Sequence, residues 1–166
     1  MVDVFAMTPL IRDATAADAG AVAELLGEMG YPCSPQQAGA HIARFERSSA
    51  SRLQVAERAG TVVGLVATHL VPRLDEDGWS CRITDLVVAT LQRRSGVGSA
   101  LVAAAEAEAR AHGAPRLDLS SGEWRKDAHA FYARLGFESR SRAFTKRLGD
   151  GAAADESGGG ARSQRA

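Results

Sequence analysis

The 166-residue sequence has no excess of either charge: twenty basic residues offset twenty acidic ones. No overall positive field is available to hold a phosphate polymer, so extended nucleic-acid binding loses its cheapest support and only a local anion site stays open. Cysteine is scarce as well. Cys33 and Cys81 are far apart, with no CxxC spacing and no histidine-rich company. Neither a zinc site nor a disulfide framework is indicated, no metal is expected, and the default compartment is a reducing one. No apolar run approaches the length needed to cross a bilayer, and the stretch around Asp3 and Arg12 lacks a cleavage-type pattern. The expected location is therefore the cytoplasm, without membrane contact. What is present is ordinary for a soluble globule, with 45% hydrophobic and 24% charged residues in a length that fits one domain.

Residues 10–15 read as a short strand leaving a turn, after which Thr15 or Asp18 can cap a helix carrying Ala21, Val22, Leu25 and Leu26. Gly30, Pro32 and Pro35 break that helix, and Ser34 followed by Pro35 forms a cap and first-turn pair for a second helix through Phe45. Residues 53–57 and 61–67 are β-type runs joined at Ala59-Gly60, the pattern of an antiparallel hairpin. The acidic stretch Asp75-Glu76-Asp77 is a loop. A strand over 81–89, an alanine-rich helix over 97–112 stopped by Gly113 and Pro115, a strand over 117–120 and a helix over 127–135 ended by Gly136 follow. One or two closing strands are expected within 138–148. The order is mixed α/β, with residues 1–9 as an extension, 10–148 as the domain and 149–166 as a flexible Gly/Ala-rich tail without apolar periodicity.

The most specific signal is the turn Arg93-Arg94-Ser95-Gly96-Val97-Gly98-Ser99, between a strand ending near Val88 and the alanine-rich helix. The first turn of a helix has unpaired N–H groups and the positive end of the dipole, and glycine lets a diphosphate approach that backbone. Arg93 and Arg94 can add charge-assisted bonds. In the plainer reading the glycines serve a tight turn and the arginines are solvated. No Gly-Lys-Ser/Thr follows, which excludes a P-loop, and Leu101 stands where a dinucleotide fingerprint needs its third glycine.

Leu86, Val88, Arg93, Gly96 and Gly98 match, in order and spacing, the acetyl-CoA motif of the GNAT superfamily of N-acetyltransferases. Downstream, Ala128, Phe131 and Tyr132 followed by Gly136-Phe137 resemble a second segment of that superfamily, and the likeness covers roughly residues 10–148. The resemblance implies a single-domain mixed sheet, with antiparallel N-terminal strands and a splayed parallel pair, flanked by about four helices. It implies acetyl-CoA as cosubstrate: backbone at Leu86, Val87 and Val88 holding the pantetheine between the splayed strands, and Arg93, Arg94, Ser95, Gly96, Val97, Gly98 and Ser99 holding the diphosphate. The implied reaction is direct attack of a primary amine of a small molecule through a tetrahedral intermediate. Tyr132 occupies the position of the acid that protonates the departing thiolate; as a structural residue it would be a helix tyrosine packed on the sheet.

The acceptor amine must lose a proton before it can attack. Asp85, on the strand beside the expected thioester, is the candidate base, and a hydrogen-bonded structural carboxylate is the competing reading. Glu123 and His129 are alternatives. Trp79 and Trp124 are candidates for the acceptor cleft or for packing, and the acidic loop can attract a cationic amine or simply be solvated. Two positions depart from the superfamily pattern. Thr90 stands where many members have proline, and Arg125, a candidate cofactor contact, where many have asparagine. Arg125 with Ala128, His129, Phe131 and Tyr132, after Ser120-Ser121, is similar to members acting on aminoalkylphosphonates or aminoglycosides. The other readings are an acyl-CoA sensor or interaction module without turnover, and a protein lysine or N-terminal acetyltransferase. Homodimers are common in the superfamily, so a homodimer is the assembly the resemblance allows.

Overall fold

The computed structural model describes residues 8–75, 77–140 and 145–146. Five strands, β1 (Leu10–Asp13), β2 (Ser51–Arg58), β3 (Thr61–Pro72), β4 (Trp79–Val88) and β5 (Leu117–Leu119), lie side by side in chain order. β1 through β4 are antiparallel and β5 joins β4 in parallel. The helices are α1 (Ala19–Glu28), α2 (Pro35–Glu46), α3 (Val97–Ala111) and α4 (Lys126–Arg134). No described helix is long and apolar enough to cross a membrane.

Side-chain alternation along the strands feeds two apolar layers. On one face Val22, Leu25, Ala38 and Ile42 of α1 and α2 pack with Val55, Leu65, Ala67 and Val87. On the other, Val97, Leu101 and Ala105 of α3 pack with Ala56, Val66 and Ile83. Gly64 lets α3 come this close: a Cβ there would sit 3.0 Å from Leu101 Cδ1 and 2.9 Å from the Val87 carbonyl. Both cysteines are free, and burial pushes the Cys81 thiol up to about 11.

Local chemistry accounts for most element ends. Ser34 accepts from the Gln37 amide at 3.2 Å while Gln37 Oε1 accepts from the Ser34 amide at 2.8 Å, a reciprocal cap with Pro35 behind it. Thr15 and Asp18 both serve at the first helix, because a single 3-10 turn, Ala16–Asp18, precedes α1. α4 ends on Gly136, whose φ of +87° turns the chain back. The Phe137 amide then donates to the Tyr132 carbonyl at 3.0 Å and the Gly136 amide to Ala133 at 3.0 Å. That reversal sets the Phe137 ring edge-on to Tyr132, with centroids 5.6 Å apart. The hairpin strand expected to stop at Ala67 continues to Pro72. Residues 138–140 form no strand, and the rest of the expected closing strands lies on 141–144 and 147–148, outside the described residues.

β4 carries the irregularity that positions everything else. Ala67 faces Asp85 but Thr68 faces Ile83, so Thr84 is an extra residue in β4. The alternation therefore changes phase across it. Ile83, Leu86 and Val88 pack toward α3, while Val87 packs toward α1 and α2, with Asp85 two residues away on the same side.

At the other edge, Arg12 forks onto Asp18 with two bonds of 2.8 Å and reaches Glu57 at 2.8 Å, tying β1, the helix entry and β2 together. Asp18 is 6% exposed, and the Arg12 hydrogen bonds lower its carboxyl to about 2. A carboxyl depressed in the folded state stabilises above its unfolded value near 4, and that stabilisation is lost as pH falls toward 2. Breaking a buried pair costs ~3–5 kcal/mol, but Arg12 is partly solvated and keeps Glu57. Asp18→Ala should thus cost about 2 kcal/mol in urea unfolding at pH 7, and the gap to the parent protein should narrow at pH 2.5.

Candidate active site

Parallel pairing between β4 and β5 covers only Cys81 to Ile83 against Leu117 to Leu119. Past Ile83 the two strands part. The Ala89 amide bonds the Val63 carbonyl at 2.9 Å, which sets the parity of the β3–β4 ladder. Val87 and Asp85 exchange backbone bonds with β3, whereas the N–H and C=O groups of Leu86 and Val88 point away from it, into the opening. Val87 thus turns its main chain to β3 and its side chain to the core. The Val88 carbonyl accepts from Arg93 Nε at 3.3 Å and keeps its second lone pair.

The turn after β4 is built around Gly96, which caps α3 in a left-handed conformation at φ +85° with no side-chain cap. The first-turn amides of Val97, Gly98 and Ser99 have no intrahelical acceptor and donate to no protein acceptor among the described residues. The Val97 side chain is fully buried beneath them. Gly98 has a packing reason: a Cβ there would lie 3.2 Å from Phe131 Cζ. The two motifs of the sequence therefore touch, α4 resting on the first turn of α3. Arg94 is exposed with φ +61°, and Ser95 Oγ donates to the Gln92 carbonyl at 2.6 Å.

A cleft of about 500 Å³ opens beside this edge, and its walls include Thr84, Asp85, Leu86, Val88, Arg93 and Arg125. Glu28, Tyr31, Ser120, Ser121 and Trp124 complete the polar and aromatic rim. Of the three candidate bases, Asp85 alone lines the cleft; Glu123 and His129 are exposed and are not among its lining residues. Trp124 is 79% exposed and lies on Gly122, where a Cβ would meet its ring at 2.5 Å. Trp79 and the acidic loop stand outside the walls, and Glu76 is not among the described residues.

Tyr132 is half-buried between Phe131 and Phe137 and is not one of the cleft-lining residues. Burial raises its phenol above the usual tyrosine value, and the charge of Arg125 pulls it part of the way back. The group therefore stays protonated at neutral pH, as a proton donor must. A second cavity, of about 560 Å³, lies between the end of α3 and Phe137, beside Arg116 and Asp118. It is lined by none of the candidate residues.

Three contributors were not evident in the sequence. Glu28 at the end of α1 accepts from both the Thr90 amide (2.7 Å) and the Thr90 hydroxyl (2.8 Å). Threonine at this position thus ties α1 to the turn. Arg58 of β2 is 4% exposed and holds the turn from below, donating to Gln92 Oε1 at 3.1 Å, Ser95 Oγ at 2.9 Å and the Ser95 carbonyl at 3.1 Å. It meets no carboxylate among the described residues, and its buried Nε has no partner. A buried cation without a counter-ion, under unpaired helix-terminal amides, makes the turn a fit for an anion such as a diphosphate. Thr84 is the third, and the two polar residues in succession between Ile83 and Leu86, a break in the alternating apolar pattern, were its one sequence signal.

Comparison with known proteins agrees with this geometry. The family model described as "Acetyltransferase (GNAT) family" matches residues 20–137. An aminoalkylphosphonate N-acetyltransferase from Salmonella typhimurium is 41% identical over 95 residues, 57% of this chain and 62% of that protein, so the match spans less than two thirds of the relative. A Bacillus halodurans protein described as a transcriptional regulator superposes with a TM-score of 0.78 at 23% identity, over 85% of this chain and 100% of its own. An aminoglycoside N-acetyltransferase solved in complex with CoA superposes with a TM-score of 0.76 at 14% identity, over 85% and 95% of the two chains. With strand order, the split β4–β5 pair and both motifs in agreement, the chain belongs to the GNAT acetyltransferase family.

Proposed function

We propose that the protein transfers an acetyl group from acetyl-CoA to the primary amine of a small molecule, by direct attack. The observation that carries this is the unpaired backbone of Leu86 and Val88 opening beside the free amides of Val97, Gly98 and Ser99, with Asp85 in the wall of the same cleft. Acetyl-CoA supplies the acyl group as a reactive thioester. In this reading the domain is residues 10–148. Leu86 and Val88 hold the pantetheine arm as an added strand would, residues 93–99 hold the diphosphate, and Arg125 is a further coenzyme contact at the cleft wall. Asp85 takes the proton that an ammonium acceptor must lose, and Tyr132 is the proton source for the departing thiolate.

The acceptor class favoured is a small amine carrying an anionic group. Arg82, the cation beside the cleft that the coenzyme does not occupy in this reading, donates to Ser120 Oγ at 2.7 Å at the rim, and the 41%-identical relative is an aminoalkylphosphonate N-acetyltransferase. A panel of aminoalkylphosphonates, aminoglycosides and peptides, read by thiol release, tests the class. Coenzyme-dependent stabilisation with no thiol release across that panel would replace catalysis by acyl-CoA sensing.

Two variants test the assignments. Tyr132→Phe should lower kcat about tenfold or more with the acetyl-CoA dissociation constant unchanged, and full turnover would remove Tyr132 as the acid. Arg58→Gln should weaken acetyl-CoA binding about five- to tenfold in calorimetric titration, a loss of about 1 kcal/mol from removing the buried charge and loosening the turn it holds. Unchanged affinity would make Arg58 a purely internal tie.

A further inference from the structure

We infer that His69 is a positioning residue for this reaction, acting through Thr84 to tie one oxygen of the Asp85 carboxylate and leave the other free. The inference rests on Asp85 serving as base. His69 lies on β3, in register with Ser51 of β2 and Arg82 of β4, and Phe45 of α2 tilts against its ring at 5.4 Å. Its Nδ1 is 2.8 Å from Ser51 Oγ and its Nε2 is 3.0 Å from Thr84 Oγ1. Thr84 in turn donates to Asp85 Oδ2 at 2.8 Å. Four side chains on three strands thus form one line that ends in the cleft.

The direction of that line follows from counting protons. A carboxylate can only accept, so the single hydroxyl proton of Thr84 is committed to Asp85. Thr84 Oγ1 can then only accept from His69, which puts a hydrogen on Nε2. In the neutral ring Nδ1 is left to accept from the Ser51 hydroxyl. Every bond points toward Asp85 Oδ2. Asp85 Oδ1 has no protein donor among the described residues, so it is the oxygen left to take a proton from an acceptor.

The arrangement depends on the β4 bulge. As the extra residue, Thr84 is released from strict alternation and its hydroxyl sits between a β3 side chain and its own neighbour. Arg82, the cross-strand neighbour of His69, is directed to Ser120 Oγ and takes no part. Without the imidazole donor, the Thr84 hydroxyl is free to rotate and the carboxylate loses its fixed orientation. Misplaced catalytic groups lose rate even where binding is intact.

The test uses the full chain with acetyl-CoA and 1-aminoethylphosphonate as the probe acceptor, and compares His69→Phe, His69→Gln, Thr84→Val, Asp85→Asn and the double variant His69→Phe/Thr84→Val. Expected are an about tenfold fall in kcat with unchanged acetyl-CoA KM for His69→Phe, recovery of most of that loss by His69→Gln, whose amide can donate to Thr84, and a double variant no slower than Thr84→Val alone. Additive losses, or a His69→Phe enzyme at the parent rate beside an impaired Asp85→Asn, would overturn the relay and leave the proposed reaction standing. Asp85→Asn at the parent rate would overturn the base assignment and the relay together. Nitrogen-15 spectra of the His69 ring at pH 8 test the line without turnover: hydrogen on Nε2 is expected, and the Nδ1–H tautomer would contradict it.

Discussion

The structure depends on one failure of pairing. β4 is hydrogen-bonded on both sides as far as Ile83 and on one side thereafter, because β5 stops at Leu119 and the bulge at Thr84 changes the strand's course. Unpaired backbone inside a sheet is costly unless something else satisfies it. Leu86 and Val88 present their amides and carbonyls to an opening instead of a strand, which is the kind of edge an extended, amide-bearing ligand can complete. The phase change also sends Asp85 to the α1–α2 side while Ile83, Leu86 and Val88 remain packed under α3.

The surroundings of that edge are held from several directions. Arg58 supports the turn from β2, Glu28 ties its start to α1, and Phe131 rests on Gly98 from α4. Two stretches of sequence some thirty residues apart thus form one wall. The Gly136-Phe137 reversal acts at one remove, fixing the end of α4 and with it the ring of Tyr132. Glycine at 98 answers to helix packing as much as to ligand approach, a distinction that spacing alone does not reveal.

Most elements were legible because their signals are local. Ser34 and Pro35 announce α2, Ala59-Gly60 the hairpin, and Gly113 and Gly136 the ends of α3 and α4. The turn over 93–99 was legible for the same reason. Less visible was whatever depends on partners distant in the chain. Arg58 looks like a surface cation until the turn folds over it, and Glu28 like a solvated helix end until Thr90 meets it. Asp85 was identified as a candidate base, but its tie through Thr84 to His69 needs the β3–β4 register. Tyr132, singled out by motif, lies among aromatic rings outside the cleft lining, and its proposed role as acid draws on the motif and on the raised phenol.

In the proposed reaction the free backbone of β4 and the free amides of α3 act as one binding surface for the coenzyme. Amide proton–nitrogen spectra of the full chain during titration with CoA test it directly. A shared surface requires the largest saturable shifts at Leu86, Val88, Val97, Gly98 and Ser99; shifts confined to the cavity beside Arg116 and Asp118, with those five amides unmoved, would contradict it.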